Sequence, residues 1–469
     1  MADGQPTDLG KGSAAAVVTV IGGGLAGCEA AAMAATVAAK APAEGGLAVR
    51  LFEMKPECFS PAHTSPHLAE LVCSNSFRSD DPDSAVGLLK AEMKLLGSLT
   101  MAAADSCRVP AGGALAVDRE RFGETVDRLI AENPRIELIR AKAERPFDPA
   151  LAKDGPVVVA TGPLAGPETT GPLAELAGGG NLHFYDALAP IVTRDSLDPD
   201  KFFAADRYAQ GPGSYLNCPL SQDEFEAFLA ALLAADRVRA RPFEEERYFE
   251  GCLPIEVMAA RGPRTLTFGP MKPVGLVDPR TGQRPAAVVQ LRPENLAGTH
   301  YNLVGFQTRM TVGAQEEVFR LIPALKKAKF ARHGAIHRNT YVDAPRFLDP
   351  FQGIPALPGF FLAGQITGVE GYVESAAQGL WVGLNAARTA LGRRPVLPPR
   401  VSALGSLLAR LGPNDGQKPF CPSNVNFGLF PPPSPNLPKR QWSLERLERA
   451  RSCWEPFLKE IDHAPAPRP

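Results

Sequence analysis

The residues best suited to chemistry stand at the end of the chain's first apolar segment. In Gly22-x-Gly24-x-x-Gly27, the first glycine permits a tight turn, the second lets a pyrophosphate come up against the backbone, and the third lets a helix pack closely on a strand. Unpaired N–H groups and the positive dipole end of that helix then hold the phosphates. Glu53 ends the next apolar run, 26 residues beyond Gly27, where a carboxylate takes both hydroxyls of an adenosine ribose. Two cysteines sit in settings that expose or tune a thiol: Cys73 among the Ser, Asn and Arg residues of LVCSNSFRSDD, and Cys252 in the Gly/Pro-bounded turn YFEGCLPIE. Each is a candidate for thiol chemistry; the alternative for each is a buried thiol acting as a small hydrophobe.

These groups need elements to hold them. Ala16 to Ile21 is rich in β-branched residues and predicts a strand, and an Ala-rich helical pattern follows the glycines to Ala39. The run is a poor bilayer span, because three glycines interrupt it and Glu29 follows, and Asp3 and Asp8 spoil a cationic signal-peptide start. Leu47 to Phe52 predicts the next strand, after a Pro/Gly-rich insert at Ala41 to Gly46. Val157 to Gly162, VVVATG, predicts a further strand with a small-residue turn at Gly162. Phe360 to Ala363 predicts another, followed by a loop holding Gly364, Gln365, Gly368, Val369, Glu370, Gly371 and Tyr372 and a helix over Val373 to Ala390. Two glycine turns more than 300 residues apart suit the two ends of one large anionic cofactor. The organisation expected is therefore an α/β, Rossmann-like FAD-binding domain with a long inserted α+β domain.

The bounds read from the pattern are a disordered leader at 1–13, the first part of the FAD domain at 14–188, an insert for substrate or RNA at 189–335, the second part of the FAD domain at 336–400, and a C-terminal strap and helix at 401–469. Ser84 to Met101 and Ala116 to Ala131 read as amphipathic helices, the second with Asp118 and Arg119 at its start, and the long loop before them carries Cys58, His63, His67 and Cys73. In the insert, Ser221-x-x-Glu224 predicts a capping box and a helix to Leu233. Thr265 to Phe268, Ala287 to Leu291 and Asn302 to Phe306 read as extended, and Leu444 to Ile461 as one helix. Arg320 to Arg338 holds six Lys/Arg residues and no acid. Such a run is either a solvated face or, through Lys326, Lys327, Lys329, Arg332 and Arg338, a phosphate-binding face.

Composition narrows the partners. With 469 residues, 45% hydrophobic and 22% charged, the chain is an ordinary globular protein of two or three domains. A formal net charge of −1 announces no polyanionic partner, so a nucleic-acid site has to be a local patch. Eight scattered cysteines form no CxxC and no close Cys/His ligand pairs, which argues for a reducing, cytoplasmic setting and against a disulfide framework or a metal site.

Over nearly its full length the chain resembles the bacterial folate- and FAD-dependent tRNA (uracil-5-)-methyltransferases of the TrmFO family. The stretches that carry the resemblance are VIGGGLAGCEAA, LFEMKP, LVCSNSFRSDD, YFEGCLPIE, FGPMKPVGL, HRNTYV, FLAGQITGVEGYVESAAQGL and NFGLFPP. The related wobble-uridine flavoprotein MnmG shares the glycine turn and an AGQI-type loop but has a longer C-terminus. The resemblance implies a glutathione-reductase-like FAD domain, with FAD, NADPH or NADH, 5,10-methylenetetrahydrofolate and tRNA as cofactors and substrates. It implies functional thiols at Cys73 and Cys252 and a folate-stacking histidine at His337. No membrane and no metal partner is expected. The implied chemistry is coherent: uracil C5 becomes a competent nucleophile only after a thiolate adds to C6, and a reduced flavin supplies the electrons that make a formaldehyde-level carbon a methyl group. The same chemistry on a uridine of ribosomal RNA, or a non-catalytic flavin-containing RNA-binding or chaperone protein, are the alternatives.

Overall fold

A small-residue seam sets the position of the glycine turn. The helix Leu25–Lys40 is alanine-rich because it lies buried between a sheet and the helix Tyr372–Ala390. A Cβ built on Gly379 would meet the Ala26 carbonyl oxygen at 2.1 Å, and one on Gly383 would meet that of Ala30 at 2.3 Å. The two helices therefore touch backbone to backbone, which accounts for glycines inside a helix where each costs about 1 kcal/mol against alanine. The sequence alone gave no sign of this pairing across more than 300 residues.

The structure is a computed structural model that describes residues 16–41, 46–178, 182–207, 213–238, 253–413 and 420–463. Cys252, most of the motif around it and the leader expected at 1–13 lie outside the described residues. The sheet beneath the seam has five parallel strands in the order Phe360–Leu362, Val157–Val159, Ala16–Ile21, Leu47–Glu53 and Ile136–Arg140. Its first four members in this order are the strands expected around the glycine turns. Both faces are covered, and the strands are accordingly near-continuous apolar runs such as VVV and FFL.

A second sheet has six strands and draws on residues 191–332 only. Its strands include Leu216–Leu220, Ala287–Pro293 and His300–Leu303, paired antiparallel, around a core of their own that holds Phe228, Phe306 and Phe319. The helix Gln222–Ala234 starts from the expected capping box of Ser221 and Glu224. Between the two sheets runs a two-stranded antiparallel ribbon, Leu182–Ala187 against Ile336–Tyr341, in which Asp186 stands opposite His337. The chain thus leaves the parallel sheet and returns to it through one paired ribbon.

Four local expectations need correction. Ser84 to Met101 is two helices, Ala85–Leu95 and Leu99–Ser106, because Gly97 turns left-handed at φ +80° and Ser98 caps the next helix by accepting the Met101 N–H. Thr265–Phe268 is one helical turn, with Leu266 buried beneath it. Ala114–Val117 is a strand, and the helix that follows begins at Arg119 with Asp118 as its cap. Leu444 to Ile461 divides into Trp442–Ser452 and Trp454–His463, where Trp454 turns inward against Trp381 and Phe457. Among the described residues, no helix is long and apolar enough to cross a membrane.

Candidate active site

The glycine turn behaves as its spacing requires. Gly22 has φ +107° and a Cβ there would sit 2.4 Å from the Ala160 carbonyl oxygen, while a Cβ on Gly27 would lie 1.7 Å from the oxygen of Gly22. Gly24 differs: its φ is −75°, and a Cβ there meets no protein atom within 4 Å. That open space is a cavity at the N-terminus of Leu25–Lys40, a helix whose first N–H groups have no side-chain cap. A phosphate group fits there, held by backbone donors and the helix dipole.

The cavity extends both ways from this turn. On one side, Glu53 closes the end of its strand; its oxygens accept the N–H groups of Gly23 at 2.7 Å and Lys55 at 2.9 Å. A carboxylate oxygen has a second lone pair, so Glu53 retains acceptor capacity for ribose hydroxyls. On the other side, Gly162, Gly364, Gln365, Cys73, Tyr372, Asp186 and His337 share the same cavity. Gly364, at φ +85°, makes the turn out of its strand, and its N–H donates to Gln378 Oε1 at 2.9 Å. The buried Thr161 Oγ1 has no hydrogen-bond partner and belongs to the cavity lining, a group that suits a bound polar ligand.

Of the expected cofactor residues, Gly22, Gly24, Glu53, Gly162, Gly364, Gln365 and Tyr372 line the cavity, and Gly27 packs behind the turn. Gly368, Val369, Glu370 and Gly371 are not in the lining. Gly368 lies against Phe420, and the Glu370 N–H donates to the Ser423 carbonyl at 3.0 Å. These residues hold the loop to the C-terminal segment, where Val425 N–H also donates to the buried Glu374 at 2.8 Å.

The loop from Lys55 to Cys73 is built onto the glycine turn. Ala69 N–H donates to the Gly23 carbonyl at 2.8 Å, Lys55 Nζ pairs with Glu70 at 3.2 Å, and His67 is bound to Asp127 at 2.6 Å. His63 lines the cavity and Cys58 is exposed. At the loop's end, Cys73 donates its N–H to the Tyr372 hydroxyl at 2.7 Å, with Sγ 2.9 Å from the same oxygen. Burial, followed by the Asp186 carboxylate, pushes the Cys73 thiol up to about 12. The thiol therefore holds its proton at neutral pH. Burial, with Arg332 and His63 nearby, lowers the His337 pKa and keeps its ring neutral, and its buried Nε2 has no hydrogen-bond partner.

The basic run does not fold into one patch. Lys326, Lys327 and Lys329 are exposed, and Lys329 faces Asp195 at 3.6 Å. Arg320 and His333 both face Glu316, so the acid absent from the run is supplied by the preceding helix. Arg332 turns the other way: it donates to the Val72 carbonyl at 2.9 Å, beside Arg119, which binds Leu71 and Val72. Burial, then the Arg119 charge, lowers the Arg332 guanidinium to about 10. Arg338 is exposed on the ribbon. Sequence reasoning missed Asp186, which carries no motif and reaches the cavity through the ribbon register, and passed over Thr161 inside VVVATG beside the Gly162 it named.

The family model for glucose inhibited division protein A matches residues 17–394. Methylenetetrahydrofolate--tRNA-(uracil-5-)-methyltransferase TrmFO of Moorella thermoacetica is 53% identical over 88% of this chain and 92% of its own, and that of Geobacter sulfurreducens 52% identical over 95% and 98%. The chain belongs to the glucose inhibited division protein A family and, within it, to the TrmFO family. This bears out the resemblance read from its motifs. A crystal form of Aquifex aeolicus GidA superposes with a TM-score of 0.63, covering 96% of this chain and 76% of that one at 17% identity. At that identity the likeness speaks for the fold, and it bears out the Rossmann-like α/β class expected for this TrmFO-family chain.

Proposed function

We propose that this chain is a folate- and FAD-dependent methyltransferase that converts a T-loop uridine of tRNA to 5-methyluridine in the cytoplasm, with 5,10-methylenetetrahydrofolate as carbon donor and NADPH or NADH as reductant. The observation that carries this reading is one cavity that runs from Gly24 and Glu53 to Cys73, Tyr372 and His337. Gly22, Gly24, Glu53, Gly162, Gly364 and Gln365 would hold FAD, whose phosphates suit the open space at Gly24. Bound FAD supplies the electrons that bring a formaldehyde-level carbon to a methyl group, and the pyridine nucleotide replaces them. His337, neutral and with a free ring edge, serves the folate as a stacking surface.

The two thiols divide the work by place. Cys73 belongs to the loop built on the glycine turn and shares the cavity with the cofactor residues, which suits it to proton or carbon transfer beside the flavin. Cys252 belongs to the chain segment that bears the six-stranded sheet, which we assign to the RNA, and attacks uracil C6. The new C–S bond sends the ring's π pair to the C4 oxygen as an enolate; loss of the C5 proton after carbon transfer then expels the thiolate and restores the ring.

The test is to change each cysteine to alanine, confirm bound FAD by its absorbance, and offer tRNA carrying 5-fluorouridine at the target. Cys73→Ala forms a covalent adduct and Cys252→Ala does not. The reverse pattern exchanges the roles, and an adduct with both single variants removes either thiol from covalent chemistry. Mapping 5-methyluridine in tRNA and ribosomal RNA of a deletion strain identifies the RNA.

A further inference from the structure

The most exposed large hydrophobic side chain among the described residues is Phe268, at 77%. It is not carried on a loose loop. Leu266 and Met271 on either side are fully buried in the core of the six-stranded sheet. The Leu266 carbonyl accepts the N–H groups of Gly269 at 3.1 Å and Met271 at 2.9 Å, and the Met271 carbonyl accepts that of Val288 at 3.1 Å. Two anchors thus hold an aromatic ring out in water, at the expense of burying it.

The segment that carries Phe268 is cationic. From Val257 to Val277 the chain carries Arg261, Arg264 and Lys272 and no acid. Arg264 and Phe268 line one shallow groove that also includes Leu253 and Met258. Among the described residues Arg264 and Lys272 make no ion pair, and Lys272 is fixed one turn on by its N–H bond to the Gly269 carbonyl at 3.2 Å. An exposed ring flanked by Arg264 and Lys272 fits an unstacked nucleotide: the ring takes the face of a base and these two cations take the flanking phosphates. A protein partner would favour a broader apolar surface with fewer unmatched charges.

We propose that the groove formed by Arg264 and Phe268 binds a single-stranded nucleotide of the RNA substrate, with Phe268 as its stacking platform. This rests on the reading of the chain as an RNA methyltransferase. Phe268 is 77% exposed, so its substitution removes little buried surface and its variants fold.

The experiment measures binding of labelled tRNA to the FAD-loaded full chain by fluorescence anisotropy over a range of salt. Phe268→Ala weakens binding by about tenfold with the salt slope unaltered, as expected for loss of one base stack. Phe268→Tyr restores it and Phe268→Leu does not. The pair Arg264→Ala with Lys272→Ala flattens the salt slope by about one to two charges. Unaltered binding by Phe268→Ala, or equal rescue by Leu and Tyr, overturns the stacking role. A change in sedimentation with RNA binding intact overturns it in favour of a protein interface. Failure of the unaltered chain to bind tRNA overturns the methyltransferase reading itself, and is told apart because no variant is needed to see it.

Discussion

The Tyr372 hydroxyl lies 2.9 Å from Cys73 Sγ and accepts the Cys73 N–H at 2.7 Å, joining the loop built on the first glycine turn to the helix after the last across 299 residues. This hydrogen bond favours the thiolate, against the larger opposing effect of burial. In Tyr372→Phe the thiol is harder still to ionise. Alkylation of Cys73 by iodoacetamide in the FAD-free chain, followed by mass spectrometry, is expected to slow about tenfold at pH 8, the effect of one hydrogen bond to a charged group. The rate climbs with pH to the limit of the measurement in both proteins, and the exposed Cys58 provides the internal reference. An equal rate at Cys73 would remove Tyr372 from its control.

Gly24 and Gly27 are expected to fail for different reasons. Gly24→Val places a side chain in open cavity at a φ that any residue adopts, so the chain folds with its thermal transition preserved and loses the flavin absorbance. Gly27→Ala drives a methyl group into the Gly22 carbonyl, and the cost of overpacking, about 1–3 kcal/mol or more, appears as a lower denaturation midpoint. Flavin retained by Gly24→Val would move the pyrophosphate away from the turn.

The basic run separates into two effects. Neutralising the exposed Lys326, Lys327 and Lys329 together is expected to weaken tRNA binding and reduce its salt slope by about two to three charges, while reduction of the flavin by NADPH persists. Arg332→Ala instead removes one of the two donors to the Val72 carbonyl beside Cys73, leaving Arg119. Its methyl transfer falls with the salt slope of RNA binding unaltered. A salt slope that drops in Arg332→Ala and stays constant in the triple lysine variant would reverse the assignment.

Glu92 gives the fold a pH dependence. Its carboxylate accepts the N–H groups of Ala403 and Leu404, both at 2.8 Å, yet burial raises its pKa from 4.5 to about 7. An acid whose folded pKa is raised binds more protons in the folded state, so its contribution is fully present below pH 4.5 and is lost as pH rises to about 7. The size is on the order of 3 kcal/mol. Urea denaturation across this window is expected to show a fall with pH that Glu92→Gln removes. A profile identical in the two proteins would show that Glu92 does not titrate there.

Local rules determined much of this protein from its sequence. Gly22, Gly24 and Gly27, the strands at Ala16 and Val157, and the turn at Gly364 were legible because φ preference, β-branching and spacing act within a few residues. The family was legible because whole motifs such as LVCSNSFRSDD are specific words. Tertiary structure decided what depends on distant partners. The apparently continuous helix breaks at Gly97, and the helix begun by Ser98 is held where it is by the buried Glu29, which accepts from the Ser98 hydroxyl and from the Thr100 N–H at 2.8 Å. Arg332 turns inward because the Val72 carbonyl awaits it, whereas the lysines of the same run stay in water. Asp186 reaches the cavity through its register opposite His337, and Gly379 and Gly383 are explained only by the backbone of Ala26 and Ala30. In each case the deciding energy is a contact between segments whose separation in the chain carries no local signal, so packing alone could select it.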